Sequence, residues 1–547
     1  MIEVSAGVEK GRGLMKEKVR IGVAVLITAV LFALYMSVLN YFEEPVWKPL
    51  LVFALLLGLF AAACIYLPCR LPAGGVKWLE QVKGLYHRAE EAVDSYFTDR
   101  GFFLQLWFLL FLVYLPAWIS LFPGTFGYDA PIQIAEYFGD AGTSLTSHHP
   151  LAHTFLMGWL FSLGEMLFHS YTAGFVLYMA LQVLAVTGSL SYSLLVCRRC
   201  RVPLIWIMLG ALWAALNPFL WVLTFTSTKD ILFGAFLLCF SAALWEAAEC
   251  VRMNRGHLIK LVVFGILVCL FRNQGIYILF ALVPVCLLLR LKKRGLWVCL
   301  LVVCLVSQAF FSLSSHVLQI PEGDKREMLC VPMQQMARVC SAWASAGGVG
   351  DNLTQEQYEI VTELIPPEGM EVYIADAADQ VKSHFRTEAL AEDFGKYFSN
   401  YVEIGRRNPR EYLLAWVDLI RPYWDMTSNE YKGLAFSYTF SDRNRWGIQR
   451  SEHRGIFERF FQFLYSVFQA PRYNVLWRPE TCLWLLAALP GLALARRKKG
   501  LFLGVVPLGL YFGTAILGPV ALLRYLYPLT LATPLLFGMV FQRKEAS

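Results

Sequence analysis

Four polar groups interrupt an otherwise apolar chain, and each is of a type that does chemistry. The first is Asp129, in the run Phe122-Pro123-Gly124-Thr125-Phe126-Gly127-Tyr128-Asp129; its loop closes with Ser147-His148-His149-Pro150-Leu151-Ala152-His153 and holds no Lys or Arg. A carboxylate with no basic neighbour in sequence is expected to have a raised pKa and to suit proton abstraction from a hydroxyl. Asp129 before Ala130-Pro131 equally fits an N-cap of the amphipathic segment Ala130 to Phe138, and both uses stay open. The second group is Lys229-Asp230, an ion pair or a helix cap between two apolar runs. The third is Arg272-Asn273-Gln274-Gly275, a turn between two apolar segments too short to cross about 30 Å. Such a turn is expected to be recessed, where polar backbone survives only if it lines a cavity or is buried in protein. Arg272 beside the following helix N-terminus is a candidate phosphate clamp; a snorkelling Arg on a plain hairpin is the alternative. The fourth is Gly518-Pro519 followed by Arg524-Tyr525.

His148, His149 and His153 invite a metal reading, since His149 and His153 are spaced to share a helix face. No HExxH arrangement follows, so hydrogen bonding to a substrate or to Asp129 is the better use; no cofactor is called for, and a divalent metal has no support. The chain lacks a Walker motif, a GxGxxG after a strand and a GxSxG elbow, which leaves nucleotide hydrolysis and serine hydrolase chemistry without a basis.

What must position these groups is a membrane bundle. With 57% hydrophobic and 16% charged residues over 547 positions, the composition excludes a cytosolic enzyme, a secreted disulfide scaffold and a disordered chain. Twelve spans are expected near 21–41, 50–67, 102–122, 171–196, 203–223, 230–250, 259–272, 275–290, 296–316, 479–495, 501–518 and 524–541. The net charge of +7 does not describe a nucleic-acid footprint, because the basic residues sit in short clusters between apolar runs. Arg198/Arg199/Arg201, Arg252/Arg255/Lys260, Arg290/Lys292/Lys293/Arg294, Arg496/Arg497/Lys498/Lys499 and Arg543/Lys544 all fall inside under the positive-inside rule, with both termini cytoplasmic. That assignment holds only if 151–169 does not cross, so it is read as an interfacial or re-entrant helix on the outer face. The N-terminal apolar run is too long for a signal-peptide core and is expected to stay as a first span.

The expected fold is thus an all-α polytopic membrane protein with a mainly helical extracytoplasmic domain. Its parts are a two-helix addition with an amphipathic segment at 1–100, a membrane core at 101–316 with the first outer loop at 123–153, a soluble domain at 317–478 and closing helices at 479–547. In the soluble stretch, Cys330 and Cys340 either pair or remain two buried thiols. Trp416, Tyr423, Trp424, Arg443, Arg445 and Trp446 offer an acceptor platform, though core packing explains them as well.

Taken in order, Asp129, His149-Pro150-Leu151, Asp230, Arg272 with Gly275, and Arg524-Tyr525 resemble the motif series of the GT-C superfamily of membrane glycosyltransferases, which includes protein O-mannosyltransferases and the lipid A aminoarabinose transferase. Together with Val331-Pro332-Met333-Gln334-Gln335-Met336-Ala337-Arg338, the series also resembles a bacterial membrane family of domain of unknown function 6020. The resemblance covers roughly 100–541. It departs in having a lone Asp129 followed by Ala130 where relatives carry an acidic pair, and in the placement of the soluble domain before the last spans.

The resemblance implies a GT-C-like core that moves a sugar from a polyprenyl-phosphate-linked donor to a glycan, lipid or protein acceptor at the outer face of the cell membrane. Asp129 would be the catalytic base, and Tyr128, His148, His149, His153, Lys229, Asp230, Arg272, Asn273, Gln274, Arg524 and Tyr525 would bind substrate. A transporter or flippase of lipid-linked saccharides would need polar residues in both membrane halves and an internal repeat. A non-catalytic envelope assembly protein would use Asp129 only as a cap.

Overall fold

A computed structural model describes residues 84–543 except 85–87, 89, 94, 141–142, 251, 292, 321–324, 426–443, 452–454, 470–476 and 497. The expected spans at 21–41 and 50–67, and Arg443, lie outside the described residues. Within them, the regular structure is helical. The first ten helices are α1 Asp99–Leu121, α2 Ala130–Phe138, α3 Leu151–Phe168, α4 Tyr171–Arg199, α5 Leu204–Leu216, α6 Pro218–Thr224, α7 Lys229–Glu249, α8 Arg255–Phe271, α9 Gly275–Leu288 and α10 Arg294–Val317. A second group follows: α11 Cys330–Ser345, α12 Gln355–Leu364, α13 Pro367–Glu371, α14 Asp379–His384, α15 Thr387–Glu392, α16 Phe394–Arg407 and α17 Pro409–Trp424. The chain closes with α18 Ile456–Gln469, α19 Glu480–Arg496, α20 Lys499–Ala515 and α21 Tyr527–Phe541.

Five helices are long and apolar enough to cross a bilayer, α1, α3, α4, α7 and α10, and α5 with α6 makes a sixth if the bent pair is one span. The described part is therefore a multi-pass membrane protein with five or six candidate spans. Of the other expected spans, two lie outside the described residues and five fall on shorter helices: α9 has 14 residues, α21 has 15, and α8, α19 and α20 have 17 each. At 1.5 Å per residue these cover about 21 to 26 Å.

The axis of the bundle is α7, which is apolar all round and almost wholly buried, packed by α4, α8, α20 and α21. Peripheral helices turn their surplus apolar residues outward, as with Met208 and Leu212 on α5 and Leu301 and Leu305 on α10, a surface that suits acyl chains. The basic clusters assigned to one side of the membrane meet at one end of this bundle. There Glu246 at the end of α7 pairs with Arg199 (2.6 Å) and with Lys260, and Lys293 donates to the last carbonyls around α7, those of Ala247, Ala248 and Cys250 (2.6 to 2.8 Å). Asp129, Lys229, Arg272 and Arg524 meet at the other end.

Two local features bring the first loop to that end. Asn217 breaks the span 203–223, its side chain accepting from the Phe219 and Leu220 amides while Pro218 opens α6, and the pair bends by 58°. The strand-like segment after α6 then pairs with the first loop: Thr125 N–H donates to Phe225 O (2.8 Å) and Ser227 N–H to Thr125 O (2.9 Å). Gly124 makes this approach possible at φ 134°, where a Cβ would meet Met179 and the Phe225 carbonyl at about 3 Å.

The helix α3 passes the length test for a span and packs on α2, α4 and α8. Gly158 lies against the Tyr137 ring, Gly164 meets Gly174, and His153 reaches Tyr178, all within α2 or the N-terminal turns of α4. The group α11–α17 has its own apolar core from Cys330 to Leu419, whereas Tyr423, Ile448, Phe461 and Leu464 belong to the core of the main helix bundle. Cys330 and Cys340 are free, buried thiols ten residues apart on α11, about 15 Å along the axis, which no disulfide spans.

Candidate functional site

Asp129 precedes the first turn of α2 with helical backbone angles, φ −84° and ψ −14°, and its side chain makes no capping bond. The carboxylate instead faces Lys229 Nζ at 3.2 Å and Arg524 Nη2 at 3.5 Å. This corrects two expectations, the cap and the raised pKa. Burial pushes the carboxyl up, but the charges of Lys229 and Arg524 outweigh it and hold Asp129 well below the usual carboxylate range. The missing basic neighbours are thus supplied from 100 and 395 positions further along the chain. Tyr128, just before, sits at φ 55° and lays its ring over the Arg524 guanidinium at 4.6 Å.

Behind this accessible pair lies a buried one. Asp230, in the first turn of α7, is fully buried and pairs with Arg272, with Arg524 Nε at 3.6 Å on its other side. Arg272 is 5% exposed and boxed by the rings of Phe233, Tyr511 and Tyr525 at 5.0 to 5.5 Å, and its Nε donates to Gln274 Oε1 at 3.0 Å. The turn is recessed, as its short flanking helices require; Gly275 is needed because a Cβ there would collide with the Val268 carbonyl. Arg272 and Arg524 are both 5% exposed; Arg272 is engaged by Asp230 and by aromatic faces, whereas Arg524, together with Lys229, also reaches the less buried carboxylate of Asp129. Together Asp129, Asp230, Lys229, Arg272 and Arg524 carry three positive charges against two negative.

The histidines separate into three roles. His149 is buried and its Nδ1 accepts from Lys229 Nζ at 3.5 Å; burial, and then the Lys229 charge, push its pKa down to about 3, so it is neutral. His148 is exposed, within the fields of Glu327 and of Lys382 on α14. His153 was expected to contact substrate, but it is wholly buried, bonded to Gln133 Oε1 (3.2 Å) and Tyr178 Oη (2.7 Å), and instead fixes α3 to α2 and α4. Asn273 likewise serves the framework, donating to the Ser147 and His148 carbonyls at 2.8 and 3.2 Å and so tying the recessed turn to the histidine loop. Among the described residues, no group of three or more His, Cys, Asp or Glu is arranged to hold a metal.

Arg524 sits in a short 3-10 turn, Leu523–Leu526, whose approach is held from the group α11–α17. Ala378 N–H donates to Pro519 O at 2.7 Å and Trp416 Nε1–H to Ile516 O at 3.0 Å, while Tyr511 Oη donates to Tyr525 O at 2.7 Å. The aromatic residues expected to form an acceptor platform are therefore spent on docking: Trp416 as above, Tyr423 buried in the membrane core, and Trp446 edge-on to Phe126 at 5.9 Å.

One acid escaped the sequence reading because it lies within an amphipathic helix. Glu136 falls seven residues after Asp129 on the same face of α2, is 7% exposed, and accepts from Thr146 Oγ1 through Oε1 at 2.9 Å. None of the described protein donors reaches its Oε2. The charges of Lys229 and Asp129 both act on it, and burial raises its pKa. Its distance of seven from Asp129, two helical turns, was the signal that could have found it.

Comparison with known proteins adds little on activity. No curated protein matches the chain. A crystal structure of ArnT from Cupriavidus metallidurans bound to undecaprenyl phosphate aligns over 78% of this chain and 77% of that one, at 16% identity and a TM-score of 0.28, too loose a likeness to carry an argument. Residues 134–547, which include every candidate residue except Tyr128 and Asp129, match the model described as a family of unknown function, DUF6020, and the chain belongs to that family.

Proposed function

We propose that this protein is a membrane glycosyltransferase of GT-C type, moving a sugar from a polyprenyl-phosphate-linked donor to a hydroxyl acceptor at the outer face of the cell membrane. The reading is carried by one observation: an accessible carboxylate, not used as a cap, shared between two cations at one end of a bundle of membrane helices. The excess of one positive charge over the five contacting groups suits the single negative charge of a sugar phosphodiester. In the resting site Asp129 is ionised but weakly basic, because Lys229 and Arg524 lie on it. A donor phosphate that draws those cations onto its own oxygens raises the basicity of Asp129 as it binds.

Asp129 then accepts the proton of the acceptor hydroxyl, and the acceptor oxygen forms a bond to the anomeric carbon. The bond from that carbon to the phosphate oxygen breaks, and its electron pair leaves on the phosphate. Lys229 and Arg524 stabilise the resulting dianion, with His149 fixing Lys229 through its unprotonated Nδ1. Arg272 and Asp230 hold Arg524 in register from behind. No cofactor or metal enters this scheme.

The test is Asp129→Asn, which keeps shape and removes the base. In a deletion strain carrying this variant, one surface glycan modification should be lost while its lipid-linked donor accumulates, a rate loss of about 100-fold or more. Full restoration of the glycan by the Asn variant would shift the balance to a transporter or an assembly protein.

A further inference from the structure

Glu136 is a carboxylate with one oxygen engaged and the other bare. Its Oε1 is fixed by Thr146, on the loop that carries His148 and His149, and its Oε2 is buried with none of the described protein donors on it. A buried acceptor left without a partner costs about 1–3 kcal/mol, so such an atom is either a structural defect or a place where a ligand donates. Its surroundings favour the second. Asp129, Gln133 and Glu136 follow one face of α2 at i, i+4 and i+7. Gln133 is consumed by His153 (3.2 Å) and Thr154 (3.0 Å), which leaves Asp129 at one end of the stripe and Glu136 at the other. The two are about 10 Å apart along the helix axis, on either side of Gln133. Lys229 is the cation common to Asp129, His149 and the field on Glu136, so a phosphate on Lys229 would set its sugar toward this face.

We propose that Glu136 is a specificity residue of the transfer site, its free Oε2 accepting a hydrogen bond from a hydroxyl of the donor's sugar ring. The proposal rests on the transferase reading above. It accounts for a departure noted in the sequence: the first loop lacks an acid next to Asp129, and the second carboxylate stands two turns on. Asp129 handles the reacting oxygen, whereas Glu136 recognises the ring.

The experiment compares full-length wild type, Glu136→Gln and Glu136→Asp in nanodiscs. The probes are undecaprenyl phosphate without sugar and undecaprenyl phosphate bearing glucose, mannose, N-acetylglucosamine or aminoarabinose, with binding read by native mass spectrometry. Wild type should prefer one sugar-bearing lipid over the bare carrier. Glu136→Gln should bind the bare carrier as wild type does and lose that preference by about tenfold. Should the Gln variant not fold, Glu136→Asp, which keeps the charge and retracts it by one methylene, should give the same selective loss. A preference that survives in the folded variants makes Glu136 a structural acid and overturns the proposal. Wild type binding none of these lipids overturns the transferase reading itself, and this inference with it.

Discussion

The site at residue scale is a division of labour among charges that resemble one another in sequence. Arg272 and Arg524 both follow apolar runs, yet Arg272 is enclosed by three aromatic rings and paired to a fully buried Asp230, whereas Arg524 reaches the accessible Asp129. Breaking a buried pair by removing one partner leaves an uncompensated charge, and replacing both is far milder. Arg272→Met leaves Asp230 only the more distant Arg524 Nε and the Thr228 hydroxyl, and should cost toward the low end of about 3–5 kcal/mol of stability, with Asp230→Leu added to it regaining part of the loss. Thermal unfolding in detergent checks this; an Arg272→Met protein as stable as wild type would mean that the pair does not form. Lys229→Gln should cost less, because Asp129 is 26% exposed and keeps Arg524 as a partner.

At the scale of elements, the decisive piece is a hairpin of two short helices. Because α8 and α9 are each shorter than a span, the turn between them stops inside the protein and carries Arg272 to Asp230. Gly275 permits that turn, since a side chain would strike the Val268 carbonyl. Gly275→Ala should displace Arg272 and destabilise the protein by about 2 kcal/mol, a size typical of overpacking in a filled core. Denaturation midpoints of the detergent-solubilised variant give the measure. An unchanged midpoint in the Gly275→Ala variant would place slack in the hairpin that the structure does not have.

For the whole molecule, the group α11–α17 is not an appendage but a clamp. Ala378 and Trp416 hold the segment 516–522, and through it Arg524, while Ser451 N–H donates to Phe122 O at 2.9 Å beside the first loop. Trp416→Phe keeps an aromatic ring, smaller than the indole, and removes the bond to Ile516 O. It should speed hydrogen exchange across 516–522 and reduce transfer several-fold with Asp129 untouched. Unchanged exchange in that segment would show that the Trp416 bond does not restrain it.

Residue types and their order made much of this protein legible. Composition alone required a membrane, because a chain with 57% hydrophobic and 16% charged residues has too little polar surface for water, and unexplained polar residues marked Asp129, Lys229, Arg272 and Arg524. The clustering of Lys and Arg grouped residues that do meet at one end of the bundle. What the sequence could not supply was partnership across distance. The protonation of Asp129, the burial of Arg272, the withdrawal of His153 into the framework and the bare second oxygen of Glu136 all depend on how groups distant in the chain are packed around them. Electrostatic and hydrogen-bond energies are set by separations of a few ångströms, and only the packing of helices decides which charges come that close.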